Sequence, residues 1–200
     1  LLRLGVGKLI MAVRSLDKGE TARKELLQAT KRAPETVEVW HLDMASYESV
    51  QSFAARAIAS LPHIDAVLAN AGLAKTQFST AEDNETSITV NVVSTFLLFF
   101  LLLPKLRESS FPGKFVIPNS ATHYWAPTKE LIPDGKAGSI FSRLRNPNQA
   151  LVASRSEVTQ LIVLYLTRAL AARLDPTAKS NFIIITPNPT YSHSVLLRTL

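Results

Sequence analysis

The chain has 200 residues, 46% of them apolar and 19% charged, a balance that excludes intrinsic disorder, which needs few apolar and many charged residues. With no cysteine, a disulfide framework, thiol catalysis and thiolate zinc sites are all excluded, and the four histidines (41, 63, 123 and 193) lack metal-ligating spacing. The net charge of +6 comes from 22 basic and 16 acidic residues. These are interspersed, as with Lys24, Lys31 and Arg32 among Glu20, Glu25 and Glu35, rather than gathered in a nucleic-acid-binding stripe, so no nucleic-acid partner is expected.

In chain order, Lys8 to Val13 is a short apolar run that reads as a buried strand. Asp17 is placed to cap a following helix to about Arg32. Val37 to Leu42 is a second strand, and Ser46 caps a helix through Ile58, with Val50, Phe53, Ala54 and Ala57 on one face. Asp65 to Leu68 reads as a third strand leading into Asn70-Ala71-Gly72. A long helix is expected from about Glu82 to Arg107, stopped by the Ser109 to Gly113 stretch, and Phe115 to Ile117 is a fourth strand. An irregular stretch from Ala126 to Gln149 has the length of a functional loop. Ala150 to Leu174 is helical, and Phe182 to Ile185 is a last, β-branched strand. This alternation predicts an α/β fold, a single domain over residues 1–200 in which helices cover both faces of a parallel sheet.

The longest apolar run, Phe96 to Leu103, falls short of the ~20 residues of a membrane span, and Leu1 to Leu16 lacks the layout of a secretory signal. A cytoplasmic protein with no membrane partner is expected. Only 7 residues are glycine, about half the usual ~7%, which is low for a fold that cradles phosphate on a glycine loop.

In parallel sheets ligands bind beyond the carboxyl ends of the strands, which directs attention to Arg14-Ser15, Asp43-Met44, Asn70-Ala71-Gly72, Asn119-Ser120 and Asn188 to Ser194. The fragments AVRSLDKGE (12–20), LDMAS (42–46), LANAG (68–72), TVNVVSTFLL (89–98), FVIPNSATHYW (115–125) and NPTYSHS (188–194) stand in an order that resembles the short-chain dehydrogenase/reductase family, especially fungal members acting on small molecules. The resemblance spans essentially the whole chain and implies a Rossmann-like, doubly wound parallel sheet.

By that resemblance, Arg14 with Ser15 meets the adenosine ribose, where a guanidinium favours NADP over NAD. Asp43 contacts the adenine amino group, Asn70 and Gly72 form the turn at the cofactor, and Ser194 contacts the nicotinamide carboxamide. Asn91 matches the family's helix-kinking asparagine and Ser120 the serine that hydrogen-bonds a substrate carbonyl. The same likeness exposes departures. Aligned on the family's Ser-Lys pair, Ser154 and Arg155 leave Leu151 where the family has its proton-donating tyrosine. Arg155 keeps the positive charge and an expected ribose contact. Tyr124, His123 and His193 are the alternative proton carriers at the cleft.

Relative to the family, the chain also lacks the first strand with its glycine-rich, pyrophosphate-binding turn, and the last strand. Without that first strand, the strands at Lys8 and Asp65 either pair directly or leave a gap for another chain. A homo-oligomer is therefore expected, and the resemblance implies that it forms through the helices at 82–107 and 150–174, the usual interface of the family. Together these features favour a non-redox step, such as cyclisation, isomerisation or dehydration, on a hydrophobic small molecule of secondary-metabolite type, with no cofactor required. The alternatives are an NADP(H)-dependent carbonyl reductase or alcohol dehydrogenase, and a non-catalytic binding or scaffold protein.

Overall fold

The computed structural model describes residues 1–131, 140–148, 150–173 and 182–189. Strand β1 (Leu9–Val13) is followed by helix α1 (Leu16–Thr30), β2 (Val37–His41), α2 (Tyr47–Ser60) and β3 (Ala66–Leu68). A small hairpin, β4 (Thr80–Ala81) and β5 (Asn84–Glu85), then leads into a continuous helical segment. That segment comprises α3 (Thr86–Ile88), a π turn (Thr89–Val93) and α4 (Ser94–Arg107). Strand β6 (Gly113–Val116), α5 (Ile140–Leu144), α6 (Arg155–Arg173) and β7 (Phe182–Ile185) complete the order.

The helix starts follow capping chemistry, with one correction. Ser15, not Asp17, is the N-cap of α1, its hydroxyl facing the Lys18 amide at 3.5 Å, while Asp17 lies in the first turn, where a carboxylate still favours the helix dipole. Ser46 caps α2 as expected, accepting from Ser49 N at 3.2 Å. The long helix begins at Thr86 rather than Glu82 because residues 80–85 form the hairpin, with Glu82 at φ 52° in its turn. Regular α-helix in α6 begins at Arg155, after a 3₁₀ turn over Val152–Ser154.

All sheet pairing outside the hairpin is parallel, but the strands fall into two groups. β1 pairs with β2, and β6 stands between β3 and β7. β1 and β3 do not pair with each other, so the gap between them is open among the described residues. Residues alternate in the direction of their backbone groups along a parallel ladder. The Val13 carbonyl accepts from Leu42 on the β2 side and the Asp65 carbonyl from Lys114 on the β6 side. Ile10 and Ala12, and on the other side Ala66 and Leu68, therefore turn their backbones toward the gap. Ala12, Ala66 and Leu68 are exposed.

Both half-sheets rest on α4. One core cluster gathers Phe99, Phe115, Phe182, Val158, Leu161 and Ile162, with the Phe99 and Phe115 rings edge-on at 5.1 Å. The other gathers Trp40, Val50, Phe53, Leu98 and Leu102. Because α4 feeds both cores, it is apolar around most of its circumference, the pattern of an interior helix. The segment Thr86–Arg107 is long and apolar enough to cross a membrane by composition, yet 72% of its most apolar window is buried inside the protein. At the β1–β2 edge, Lys8 pairs with Glu38 at 2.5 Å. That contact, with the Trp40 indole N–H, holds the Glu38 carboxyl below the usual carboxylate range.

Candidate active-site cleft

The carboxyl ends of the parallel strands carry the polar residues singled out by the sequence. After β1, exposed Arg14 and Ser15 with Lys18, Gly19 and Ala22 border a shallow pocket of about 340 Å³ whose floor is Met11 and Val13. Gly19 is the buried residue of α1, and its missing side chain lets the helix lie on the strands: a Cβ there would meet Val39 Cγ1 at 2.6 Å and Val13 Cγ2 at 2.7 Å. After β2, Asp43 accepts from Ala45 N at 2.9 Å, while its own N–H donates to Ser49 Oγ at 2.9 Å. Its carboxylate thus supports the turn into α2.

After β3, Asn70 and Gly72 are exposed, and the turn is tied down by Asn91. Asn91 lies in the π turn, 8% exposed. Its Oδ1 accepts from Leu73 N at 2.9 Å, and its Nδ2 donates to Leu73 O at 2.9 Å and Thr159 Oγ1 at 3.1 Å. One side chain therefore joins the β3 turn, the central helix and α6. A π turn is often found at functional sites, and here it aims the amide across two neighbours at once. A Cβ at position 72 would lie 3.5 Å from Asn91 Oδ1, an ordinary contact, so the chain's own packing does not require glycine there.

After β6, buried Asn119 presents Oδ1 to Ser120 N at 2.7 Å and donates Nδ2 to Gln160 O at 3.2 Å. Its backbone N–H donates to Pro187 O beyond β7. Asn119 was legible only as a post-strand residue, and its part in holding Ser120 comes from the fold. Ser120 Oγ accepts from Thr122 N at 3.2 Å and caps the 3₁₀ turn Ala121–Trp125. His123 Nδ1 lies 2.6 Å from the Ser120 carbonyl. A carbonyl only accepts, so Nδ1 carries the proton and Nε2 of the neutral ring is left as an acceptor. The His123 ring stacks on Tyr124 with centroids 4.2 Å apart. Tyr124 and Trp125 are 81% and 74% exposed.

Arg155 departs from its expected place. Its side chain is fully buried, with Nη1 2.9 Å from Glu130 Oε2, Nε 3.4 Å from Glu85 Oε2 and Nη2 3.5 Å from Leu144 O. No part of the guanidinium is left to reach a ribose, because two carboxylates hold it inside the protein. Neither Glu85 nor Glu130 was picked out in the sequence, since their burial follows only from the approach of α6. Leu151 is 39% exposed. His193 and Ser194 lie outside the described residues.

A parallel α/β core with its polar residues gathered at the strands' carboxyl ends defines a Rossmann-like protein. A family model described as short chain dehydrogenase matches residues 5–122. The chain is 41% identical over 204 residues to short chain dehydrogenase/reductase dmxR8 of Cryptosporiopsis sp., covering 98% of this chain and 62% of that protein. It is 39% identical over 203 residues to short chain dehydrogenase atnD of Emericella nidulans, covering 98% and 63%. The chain belongs to the short-chain dehydrogenase/reductase family, and it spans somewhat over three fifths of the length of these two relatives. A short-chain dehydrogenase from Sphingobium yanoikuyae, solved in complex with NADPH, superposes with a TM-score of 0.65 at 21% identity. That match covers 94% of this chain and 63% of the other, and shows the shared fold.

Proposed function

We propose that this chain acts on a hydrophobic small molecule, of the secondary-metabolite type, in a non-redox step such as cyclisation, isomerisation or dehydration. The observation that carries the reading is the pair Leu151 and Arg155. Leu151 has no proton to give, and Arg155 is enclosed by Glu85 and Glu130 rather than turned to the cleft. Ser120 and His123 remain. The Ser120 hydroxyl is placed to polarise a carbonyl, and His123 Nε2 is free to take a proton from, or return one to, an adjacent carbon or oxygen. Exposed Tyr124, Trp125 and Leu151 offer apolar surface for the substrate. Orientation and preorganised hydrogen bonds accelerate such steps without a nicotinamide.

The second reading, an NADP-dependent carbonyl reductase or alcohol dehydrogenase, is favoured by the pocket at Arg14, Ser15 and Lys18 and by the names of the relatives. These residues fit the adenosine end of a dinucleotide, with Arg14 and Lys18 available to a 2′-phosphate. They do not fit its pyrophosphate. The turn from β1 to α1 is Arg14-Ser15, and no described strand is followed by a glycine-rich turn that opens a helix. Calorimetric titration with NADPH and NADP separates the readings. No binding at millimolar cofactor is expected. Micromolar binding would overturn the non-redox reading and place the reductase first.

A further inference from the structure

We propose that Arg155 is the positioning residue of the cleft, a buried clamp that sets the Leu151 backbone through Glu130 and the entry of the Asn91 helix through Glu85. The planar guanidinium sends its nitrogens toward three segments far apart in the chain: the end of the hairpin at Glu85, the 3₁₀ turn at Glu130 and the end of α5 at Leu144. Each carboxylate passes the constraint on. Glu130 binds Arg155 with Oε2 and accepts from Leu151 N with Oε1 at 2.6 Å. Glu85 faces Arg155 with Oε2, while its Oε1 accepts from Ser87 N at 2.9 Å and Ser87 Oγ at 3.1 Å, capping the helix that runs into the π turn of Asn91.

The composition of the cluster argues for positioning over stability. Arg155 and Glu85 are fully buried and Glu130 is 4% exposed. One cation thus faces two carboxylates away from water, an arrangement that apolar residues of similar volume often match or exceed in stability. The Nε contact to Glu85 at 3.4 Å is ionic rather than an aligned hydrogen bond. Apolar side chains cannot impose direction, whereas a rigid fork meeting two carboxylates fixes angles as well as distances. A lysine at 155 would offer a single point charge and could not hold both walls. The clamp operates whichever reaction the cleft performs, so its test is independent of cofactor binding.

The test is amide hydrogen exchange in three proteins: the parent chain, R155K, and a charge-free variant, R155M/E85Q/E130Q. In the last, the amide carbonyls that E85Q and E130Q introduce still offer Ser87 N and Leu151 N their acceptors, so only the clamp is removed. Exchange at Leu151 and Ser87 is expected to accelerate at least about tenfold in both variants, while Trp40 in β2 and Phe53 in α2 exchange as in the parent. Unchanged protection at Leu151 in the charge-free variant would overturn the proposal and leave the cluster as space-filling. Equal acceleration at all four sites would overturn it too, by showing general loosening. If the charge-free variant does not fold, R155K decides: a folded R155K with parental protection at Leu151 and Ser87 refutes the need for the fork.

Discussion

Replacing Asn91 by leucine is the perturbation with the widest reach for one side chain. It deletes three hydrogen bonds, of 2.9, 2.9 and 3.1 Å, to Leu73 N, Leu73 O and Thr159 Oγ1. A leucine, with the same branching, fills the space but leaves Leu73 N and Leu73 O without this partner, while Thr159 Oγ1 keeps its bond to Ser156 O. A typical hydrogen bond contributes about 0.5–1.5 kcal/mol net, and a buried orphan costs more. Leu73 is only half-buried, which lets water recover part of the loss, so the expected destabilisation is about 2–3 kcal/mol. For a domain of this size that lowers Tm by about 4–12 °C. Asn91→Asp adds a sign to the test. One oxygen of the introduced carboxylate still accepts from Leu73 N, but the other then faces the Leu73 carbonyl at the position from which Nδ2 donated. Burial and that carbonyl both raise the new carboxyl's folded-state pKa above its unfolded value. The acid form can donate where the carboxylate cannot, so its favourable contribution is present at low pH and is lost as pH rises through the folded pKa. Urea denaturation of both variants at about pH 5 and about pH 8 reads this directly: the Asn91→Asp variant is closer to the parent at the lower pH. A leucine variant within about 0.5 kcal/mol of the parent would refute the structural weight given to Asn91, as would an Asn91→Asp variant whose deficit shrinks at the higher pH.

Two further outcomes follow from packing and strand pairing. Gly19→Ala gains about 0.8–1 kcal/mol of helix propensity, but its Cβ lands 2.6 Å from Val39 Cγ1 and 2.7 Å from Val13 Cγ2. Overpacking of about 1–3 kcal/mol is expected to win, lowering the denaturation midpoint; a midpoint equal to or above the parent's would show that the valines yield freely. The open edges at Ile10, Ala12, Ala66 and Leu68 invite pairing with a further strand, and we propose that the chain self-associates in solution. Sedimentation at micromolar concentration is expected to show more than one chain per particle, and a purely monomeric boundary would contradict this.

Periodicity and capping made much of the local structure legible. The α2 face of Val50, Phe53, Ala54 and Ala57 is buried as its spacing requires, and Phe182–Ile185 is a strand over the residues its β-branched run marked. Six short motifs in order were enough to place the chain in its family: five stand at or just past strand ends, which recur at fixed points of a wound sheet, and the sixth, residues 89–98, lies in the central helical segment. The readings that failed depend on contacts between distant segments or on closely balanced local choices. The N-cap fell to Ser15 over Asp17, a choice between adjacent capping types that local sequence leaves nearly even. The hairpin at 80–85 has strands of two residues each, too short to show alternation.

The sequence by itself determined the main helices and parallel strands, though not the hairpin at 80–85 or α5, because side-chain period and capping act over a few residues at a time. It also determined that leucine stands at 151, where no proton can be donated. Only the tertiary structure decided that the parallel strands divide into two groups on one central helix, and that Arg155 turns inward to Glu85 and Glu130 instead of outward to the cleft. A side chain's direction is set by the groups that other segments bring to it. The nearer of the two carboxylates, Glu130, stands 25 residues from Arg155 along the chain, and Glu85 farther still, beyond the reach of any local pattern.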